Sequence, residues 1–424
     1  MRTTLGAVLV LATACAQEDW QTLPGDVDDS AEGGGKGDEW NGENDPDNLA
    51  AHLNYRFAQL PASGSVEKPA WRRRHTVLEG DVPMWSDTYW PTVDGSANTR
   101  FLGVTIKSPL EKYDAAFHNA DGCTRQPEAR CGSDAKAAWD RYVECAGPAA
   151  AWHAEYFQGS RQMYDGEDSD GDGRVDECGD DHDGIESWWG LCHAWSPASL
   201  LEPEPQNTIT YRGVEFTPGD IKALLQVVYD DNDSLMLGGR CHATRFRRDR
   251  YGRIADPDCA DTNAGAWHVV VTNFIGIGDA PLVMDRTAND EVWNQPVYSY
   301  EITYNQKVTE RRANECVGAS GSSYRFNDRA RALYEIKMNV GYLVEGEAQA
   351  EPMGLDGYVE EQSYHYVVEV DGRGKVIGGE WCKRSLTHHP DFLWSPEGVS
   401  QRTDGRNPEV DVDNVHKLLA KSRE

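Results

Sequence analysis

The residues best suited to nucleophilic chemistry lie around Cys192, in the segment Trp188-Trp189-Gly190-Leu191-Cys192-His193-Ala194-Trp195. A cysteine that enters a helix gains from the positive end of the helix dipole, which favours the thiolate, the nucleophilic form. Aromatic neighbours can shield such a group from water. Pro197 is expected to interrupt a helix from Cys192 after about one turn. The alternative is a structural cysteine, buried or in a disulfide, but the context favours a nucleophile.

A thiolate acyltransferase also needs a base and a residue that orients the base. His268 lies in the apolar run 267–274, which predicts a strand, and Asp285 ends a second apolar run after the turn sequence Gly276-Ile277-Gly278-Asp279. A hairpin centred between Gly276 and Ile277 would place His268 directly opposite Asp285, where cross-strand Cβ atoms are roughly 4.5–5.5 Å apart. His268 and Asp285 are therefore the predicted base and orienting residue.

Other candidates remain for these roles. A β-bulge would shift the hairpin register and make Asp290 the partner of His268. His193 is the rival base, although adjacent residues of a helix direct their side chains differently. An exposed histidine beside an unrelated turn is the alternative for His268. The backbone N–H of Cys192 is the expected oxyanion donor, and no side chain in the sequence identifies a second donor.

Alternating carboxylates precede the nucleophile segment, in a loop at 165–186. Asp168-Ser169-Asp170-Gly171-Asp172-Gly173-Arg174-Val175-Asp176 matches the first nine positions of an EF-hand-type calcium loop, with glycine where the chain turns. The twelfth position is Gly179 rather than glutamate, so Asp180 or Asp183 would supply the bidentate ligand. The predicted Ca²⁺ ligands are Asp168, Asp170, Asp172, Arg174, Asp176 and Asp183. A solvated acidic loop without metal is the alternative.

Composition and charge narrow the class of protein. The chain has 424 residues, 39% of them hydrophobic, and a formal net charge of −30. Such a charge excludes nucleic acid as a partner, because a phosphate backbone requires a surface rich in lysine and arginine. Ten cysteines are present. Setting aside Cys15 leaves an odd number, so one thiol stays unpaired in an oxidising compartment.

Residues 1–15 predict a secretory signal, since Arg2 is followed by an apolar run too short to span a bilayer. The small residues at its end fit ordinary cleavage. Cys15 fits the alternative of a bacterial lipoprotein signal, in which it becomes the lipidated residue and anchors the chain. The protein is thus expected to be secreted or on the cell surface, with an outer-membrane lipoprotein as the alternative. Residues 16–48 are acidic and predict a disordered linker.

The remaining residues, 49–424, are predicted to form the catalytic domain. An amphipathic helix is expected at 49–60, and capping patterns at Ser108 and Thr217 predict two further helices. From about residue 266 the pattern changes to strands, at 267–274, 297–309, 333–344 and 364–370. A helical N-terminal half followed by an antiparallel β meander indicates an α+β fold rather than an α/β fold.

Two motifs carry a family resemblance. Trp189-Gly190-Leu191-Cys192-His193-Ala194-Trp195-Ser196-Pro197-Ala198, with segments 213–216 and 220–224 behind it, resembles the transglutaminase elicitor family of oomycete cell-wall proteins and their bacterial homologues. Val292-Trp293-Asn294-Gln295-Pro296-Val297 is similar to the opening of the surface peptide by which plants recognise the oomycete members. The residues after Val297 diverge from that peptide, so immune recognition does not follow.

The resemblance implies a papain-like or transglutaminase-like cysteine acyltransferase, namely a calcium-dependent protein-glutamine γ-glutamyltransferase. Cys192 would attack a glutamine carboxamide to form a thioester, with His268 and Asp285 as its partners. A lysine amine would then form the isopeptide bond, so the implied partners are proteins with accessible glutamine and lysine. The alternatives are a secreted cysteine peptidase or amidase, in which water replaces the amine, and a non-enzymatic calcium-binding surface protein.

Overall fold

The computed structural model describes residues 44–66, 84–127, 133–157, 188–239, 248–253, 262–286, 291–402 and 405–424. The helices in these ranges are α1 (Pro109–Tyr113), α2 (Ser133–Cys145), α3 (Pro148–Phe157), α4 (Cys192–Leu201), α5 (Pro218–Tyr229), α6 (Ala264–Asn273), α7 (Glu310–Val317) and α8 (Val412–Ser422). The strands are β1 (Ser63–Ser65), β2 (Ile209–Tyr211), β3 (Val214–Phe216), β4 (Asn232–Leu237), β5 (Val283–Asp285), β6 (Asn294–Val308), β7 (Ala332–Leu343), β8 (Val359–Val370), β9 (Val376–Trp381) and β10 (Leu393–Val399). Helices packed on antiparallel strands confirm the α+β class.

One antiparallel sheet organises this part of the chain, with the strand order β4-β10-β5-β6-β7-β8-β9 and β1 paired to β6. Strands β6 to β9 follow one another as a meander, as the alternation in the sequence predicts. On one side of β5, Asp285 pairs with Asn294 of β6. On the other side, Val283 pairs with Trp394 of β10. Strand β4 pairs with β10 and forms one edge of the sheet.

A helical layer packs against β6 and β10, through α4 and α5, and α8 packs on α5. The two predicted caps are present, because the side chains of Ser108 and Thr217 each accept the N–H of the residue three positions on. Lys112 of α1 donates to Asp220 of α5 at 2.6 Å and links the two capped helices. No helix among the described residues is both long enough and apolar enough to cross a bilayer.

The run 267–274 belongs to helix α6, so the predicted strand is wrong. The Asn263 side chain caps α6 by accepting the N–H of Gly265 at 2.8 Å. Every residue of α6 is buried, so the helix has no polar face and its sequence lacks the usual helical period. A Cβ on Gly265 would lie 2.2 Å from the carbonyl oxygen of Gly378, so only glycine allows α6 to pack this closely on β9.

Residues 49–60 form no α-helix, contrary to the prediction from their apolar spacing. The chain there turns at Leu49 and at Ala51 and His52, and then runs without regular structure into a short 3-10 turn at Phe57–Gln59. Leu49 is buried, and Leu53, Phe57 and Leu60 pack against the core under the sheet. The apolar spacing therefore marked residues that contact the core without specifying their backbone conformation. Helices α6 to α8 likewise fall in the half that was predicted as strands.

Four of the cysteines in the described ranges form disulfides, Cys123–Cys145 and Cys316–Cys382. Cys192 is the free cysteine within these ranges. An unpaired thiol is what the predicted role of Cys192 as nucleophile requires.

Candidate active site

Cys192 is the first residue of α4 and is 5% exposed. The loop before it is fixed by the N–H of Leu191, which donates to the carbonyl of Tyr89. Gly190 lies so close to Tyr89 that an added Cβ would be 2.5 Å from that carbonyl oxygen, so only glycine fits. The sequence thus anchors the thiol at the positive end of the helix dipole, as predicted.

Helix α4 continues through Pro197 to Leu201, so the prediction that Pro197 interrupts it is wrong. Proline lacks the N–H that would bond the carbonyl four residues earlier, which is that of His193. The side-chain amide of Asn232 donates to this carbonyl at 3.4 Å and compensates for the missing bond. A tertiary contact thereby satisfies a group that the local sequence leaves without a partner.

Asn294 faces the thiol from the start of β6. Its Nδ2 lies 3.7 Å from the Sγ of Cys192, and the thiol donates to the carbonyl of Val292 at 3.6 Å. The Oδ1 of Asn294 accepts the indole N–H of Trp394 at 2.8 Å. Because an indole nitrogen can only donate, Trp394 fixes the amide orientation and directs the N–H₂ donor of Asn294 at the sulfur.

His193 is paired with a carboxylate. Its Nε2 lies 2.7 Å from Oδ1 of Asp230, the residue that ends α5, and the two side chains are 42% and 7% exposed. Burial would lower the pKa of His193, but hydrogen bonds to Asp230 and to Cys192 outweigh burial and raise the pKa to about 10. Neighbouring helical residues were expected to direct His193 away from Cys192, but the hydrogen bond between the two side chains shows that they meet at the start of α4.

The raised pKa of His193 has a consequence for the thiol. At neutral pH the imidazole of His193 is protonated, and its charge lies beside Cys192. A neighbouring imidazolium favours the thiolate over the thiol. The structure therefore places a charged imidazole, held by Asp230, beside the sulfur of Cys192.

His268 occupies a different environment in α6. Its Nδ1 is 2.9 Å from the Tyr366 hydroxyl, and its ring stacks on Phe57 at 5.5 Å. The side chain is 1% exposed, and burial lowers its pKa to about 3. The predicted hairpin that pairs His268 with Asp285 is wrong, since residue 268 is helical and its hydrogen bond goes to β8.

Asp285 is fully buried in β5, directly beside Asn294 in the sheet. Its Oδ1 accepts the backbone N–H of Trp293 at 2.9 Å. This bond holds the segment 292–294, which supplies both contacts to the Cys192 thiol. The structure thus places Asp285 next to the site as a residue that positions Asn294, rather than as the partner of His268.

Several aromatic rings lie in or beside the loop 188–191 that precedes Cys192. Tyr89 and Trp293 meet edge to face at 5.6 Å, and Trp188 and Trp189 do the same at 6.1 Å. Trp293 is also anchored through its indole N–H, which donates to Glu291 at 3.0 Å. These rings support the expectation of a partly walled site beside Cys192.

Three residues of the site were not predicted from the sequence, namely Asp230, Asn294 and Trp394. A signal existed for Asn294, which lies within the motif 292–297. None existed for Asp230, which reaches His193 from the end of another helix. Asp290 and the predicted Ca²⁺ ligands at 168–183 lie outside the described residues. The donor set of that loop, carboxylates and main-chain carbonyls, has the hard oxygen chemistry that Ca²⁺ prefers.

Comparison with known proteins gives two matches. The family model of the transglutaminase elicitors matches residues 72–424. The crystal structure of the GP42 transglutaminase from Phytophthora sojae is similar, with a TM-score of 0.61 and 25% sequence identity, over 87% of this chain and 94% of that one. None of the curated proteins compared with the chain matches it significantly.

Proposed function

Because the chain belongs to the transglutaminase elicitor family, we propose that it is a protein-glutamine γ-glutamyltransferase that works through a thioester on Cys192. The observation that carries the proposal is the surroundings of the free thiol at the start of α4. On one side lies the His193–Asp230 pair, and on the other the oriented amide of Asn294. The similarity to a solved structure named a transglutaminase supports the same reaction class.

The first half-reaction acylates the thiol. The Cys192 thiolate attacks the carbonyl carbon of a glutamine carboxamide, and a tetrahedral intermediate with a negative oxygen forms. As the C–N bond breaks, the imidazolium of His193 gives its proton to the leaving nitrogen, which departs as ammonia. A thioester and a neutral imidazole remain, and Asp230 keeps the imidazole ring in place.

The negative oxygen of the intermediate needs donors that are already oriented. The N–H groups of the first helical residues have no partner within a helix, so the N–H of Cys192 is one donor. The second is Nδ2 of Asn294, whose direction is fixed by Trp394. This assignment supplies the second donor that the sequence analysis left open.

The second half-reaction transfers the acyl group to an amine. A lysine side chain enters as the neutral amine and attacks the thioester carbon, while His193 takes the proton that the nitrogen loses. The C–S bond breaks, the isopeptide bond remains, and the thiolate–imidazolium pair is restored. The same imidazole would also activate water, so the preference for the amine rests on the aromatic rings beside Cys192, which restrict the access of water.

We also propose the finer features that the family resemblance implies. A thiol at a helix start against an antiparallel sheet fits a papain-like layout, although here the histidine comes from the same helix. Ca²⁺ would be held by the carboxylates of loop 168–183, which runs into the nucleophile segment. Export through residues 1–15, with Cys15 as an alternative lipid anchor, would place the enzyme among extracellular proteins that supply glutamine and lysine.

The proposal is tested by incorporation of a fluorescent primary amine into a glutamine-rich protein that carries no free cysteine. We expect wild-type protein to incorporate the amine and release ammonia, and Cys192→Ala to do neither while it keeps the wild-type melting temperature. Repeating the assay in EGTA, with Ca²⁺ or Mg²⁺ added back, tests the metal separately. Cleaved peptide bonds without amine incorporation would identify a peptidase, and inactivity on all substrates would favour a surface protein.

A further inference from the structure

Strand β4 is an exposed edge beside the site. Within the described ranges it pairs with β10 alone, and its residues 233–236 are all exposed. Two of them are large and apolar, Leu235 at 38% and Met236 at 45% exposure. Exposed edges with apolar residues are templates for an added strand, and folded proteins usually blunt them with lysine, proline or a bulge. This edge is therefore a candidate binding site for an added strand.

The β4 edge is connected to the candidate active site in two ways, through its position in the chain and through its pairing in the sheet. Asp230, which holds His193, precedes β4 by two positions, and Asn232 bonds the main chain of His193. In the sheet, Met236 pairs with Trp394 and so shares its face. Trp394 in turn orients Asn294 against the thiol. A chain added along β4 would therefore begin beside the His193–Asp230 pair, with β10 and β5 between β4 and the strand β6 that carries Asn294.

An acidic cavity of about 490 Å³ adjoins the same strand and is lined by Asp233, Glu397, Glu202 and His416, among others. Oε1 of Glu202 accepts from the Tyr229 hydroxyl at 2.9 Å and contacts His416. Oε2 of Glu202 is buried and accepts no hydrogen bond from the described residues. Because Glu202 is buried and already paired with His416, the carboxylates open to a ligand are those of Asp233 and Glu397, and these favour a positively charged side chain.

We propose that the edge of β4 binds the glutamine-bearing polypeptide as an added strand, with a basic side chain of that polypeptide in the acidic cavity. The inference rests on the proposed function and names the class of its acyl donor: extended, with apolar and basic residues near the glutamine. Main-chain hydrogen bonds supply affinity in this binding mode, and pockets for alternate side chains supply specificity.

Binding is measured by fluorescence anisotropy on the Cys192→Ala chain, so that the result does not depend on turnover. The probe is a peptide of about twelve residues with one glutamine, flanking arginines and no lysine. Leu235→Arg with Met236→Arg should weaken its binding about tenfold, a loss of about 1.4 kcal/mol. Ile277→Arg with Val359→Arg adds the same charge at exposed apolar positions outside β4 and should leave Kd unchanged. Asp233→Asn should reduce the salt dependence of Kd.

Hydrogen exchange gives a second readout that needs no β4 variant. The amides of 233–236 should gain protection when the peptide binds to Cys192→Ala. Equal Kd values for the β4 and control variants, or no added protection in β4, would overturn the docking proposal. A β4 variant that changes the oligomeric state but not peptide affinity would overturn it in favour of self-association. Amine incorporation decides the proposed function independently of these results.

Discussion

Two histidines, His193 and His268, show how their surroundings separate a catalytic group from a structural one. His193 is half-exposed and bonded to a carboxylate, which raises its pKa to about 10. His268 is buried and bonded to the Tyr366 hydroxyl, and its pKa falls to about 3. The first is charged beside a thiol at neutral pH, and the second is neutral inside the core. The partner and the degree of burial, not the residue type, determine which histidine can transfer protons.

Substitution of each histidine in turn should give the largest difference in activity between the two positions. His193→Gln removes the proton donor and acceptor beside Cys192 and should lower kcat/KM by about 10²–10⁴-fold. His268→Gln should leave kcat/KM within about twofold, because the ring does not contact the thiol. Steady-state amine incorporation by both variants at matched folded concentration checks this. Loss of activity in His268→Gln alone would restore His268 as the base.

Asn294→Ala tests the opposite side of the thiol from His193. Loss of an oxyanion donor typically lowers kcat by about 10²–10³-fold with little change in KM. Trp394→Phe keeps the amide but removes the indole N–H that orients it, so a smaller fall in kcat is expected. The kcat and KM of both variants on one glutamine peptide distinguish these effects. An unchanged kcat in Asn294→Ala would remove Asn294 from the reaction.

Asp230→Asn sharpens the comparison by removing the carboxylate that distinguishes His193 from His268. Activity of the wild type should fall as the pH rises through the pKa of His193, about 10, because the imidazolium is lost. With an amide partner the pKa of His193 falls, so the alkaline limb should move down by about one to two pH units. Profiles of kcat/KM against pH check this, and an identical limb in the variant would contradict it.

The smallest expected effect concerns stability and His268. Its folded pKa, about 3, lies below the unfolded value, so the unfolded chain binds the proton first and stability falls as pH drops below about 6.5. His268→Gln should remove up to about 1.4 kcal/mol per pH unit of this acid sensitivity. Denaturant unfolding between pH 4 and pH 7 measures the slope. His193→Gln should not reduce it, because the pKa of His193 is raised.

The sequence predicted the parts of the site that local signals specify. Cys192 at a helix start follows from its motif, and the capped helix at Thr217 follows from its capping pattern. The sequence favoured His268 over His193 as the base, because α6 is buried on all sides and its sequence resembles a strand. The His193–Asp230 pair depends on how α4 and α5 pack, and continuation of α4 through Pro197 depends on Asn232. Such contacts between distant residues leave no local pattern in a single sequence.

The most direct test of the central claim is the rate at which iodoacetamide alkylates Cys192 in the native protein, followed by peptide mapping. A thiolate held by the imidazolium of His193 should react at about pH 6 nearly as fast as at about pH 8. An ordinary thiol, by contrast, would lose most of its reactivity when the pH falls from about 8 to about 6. His193→Gln should slow the reaction at the lower pH at least about tenfold, and His268→Gln should not. Equal rates for wild type and His193→Gln at the lower pH would contradict the thiolate–imidazolium pair.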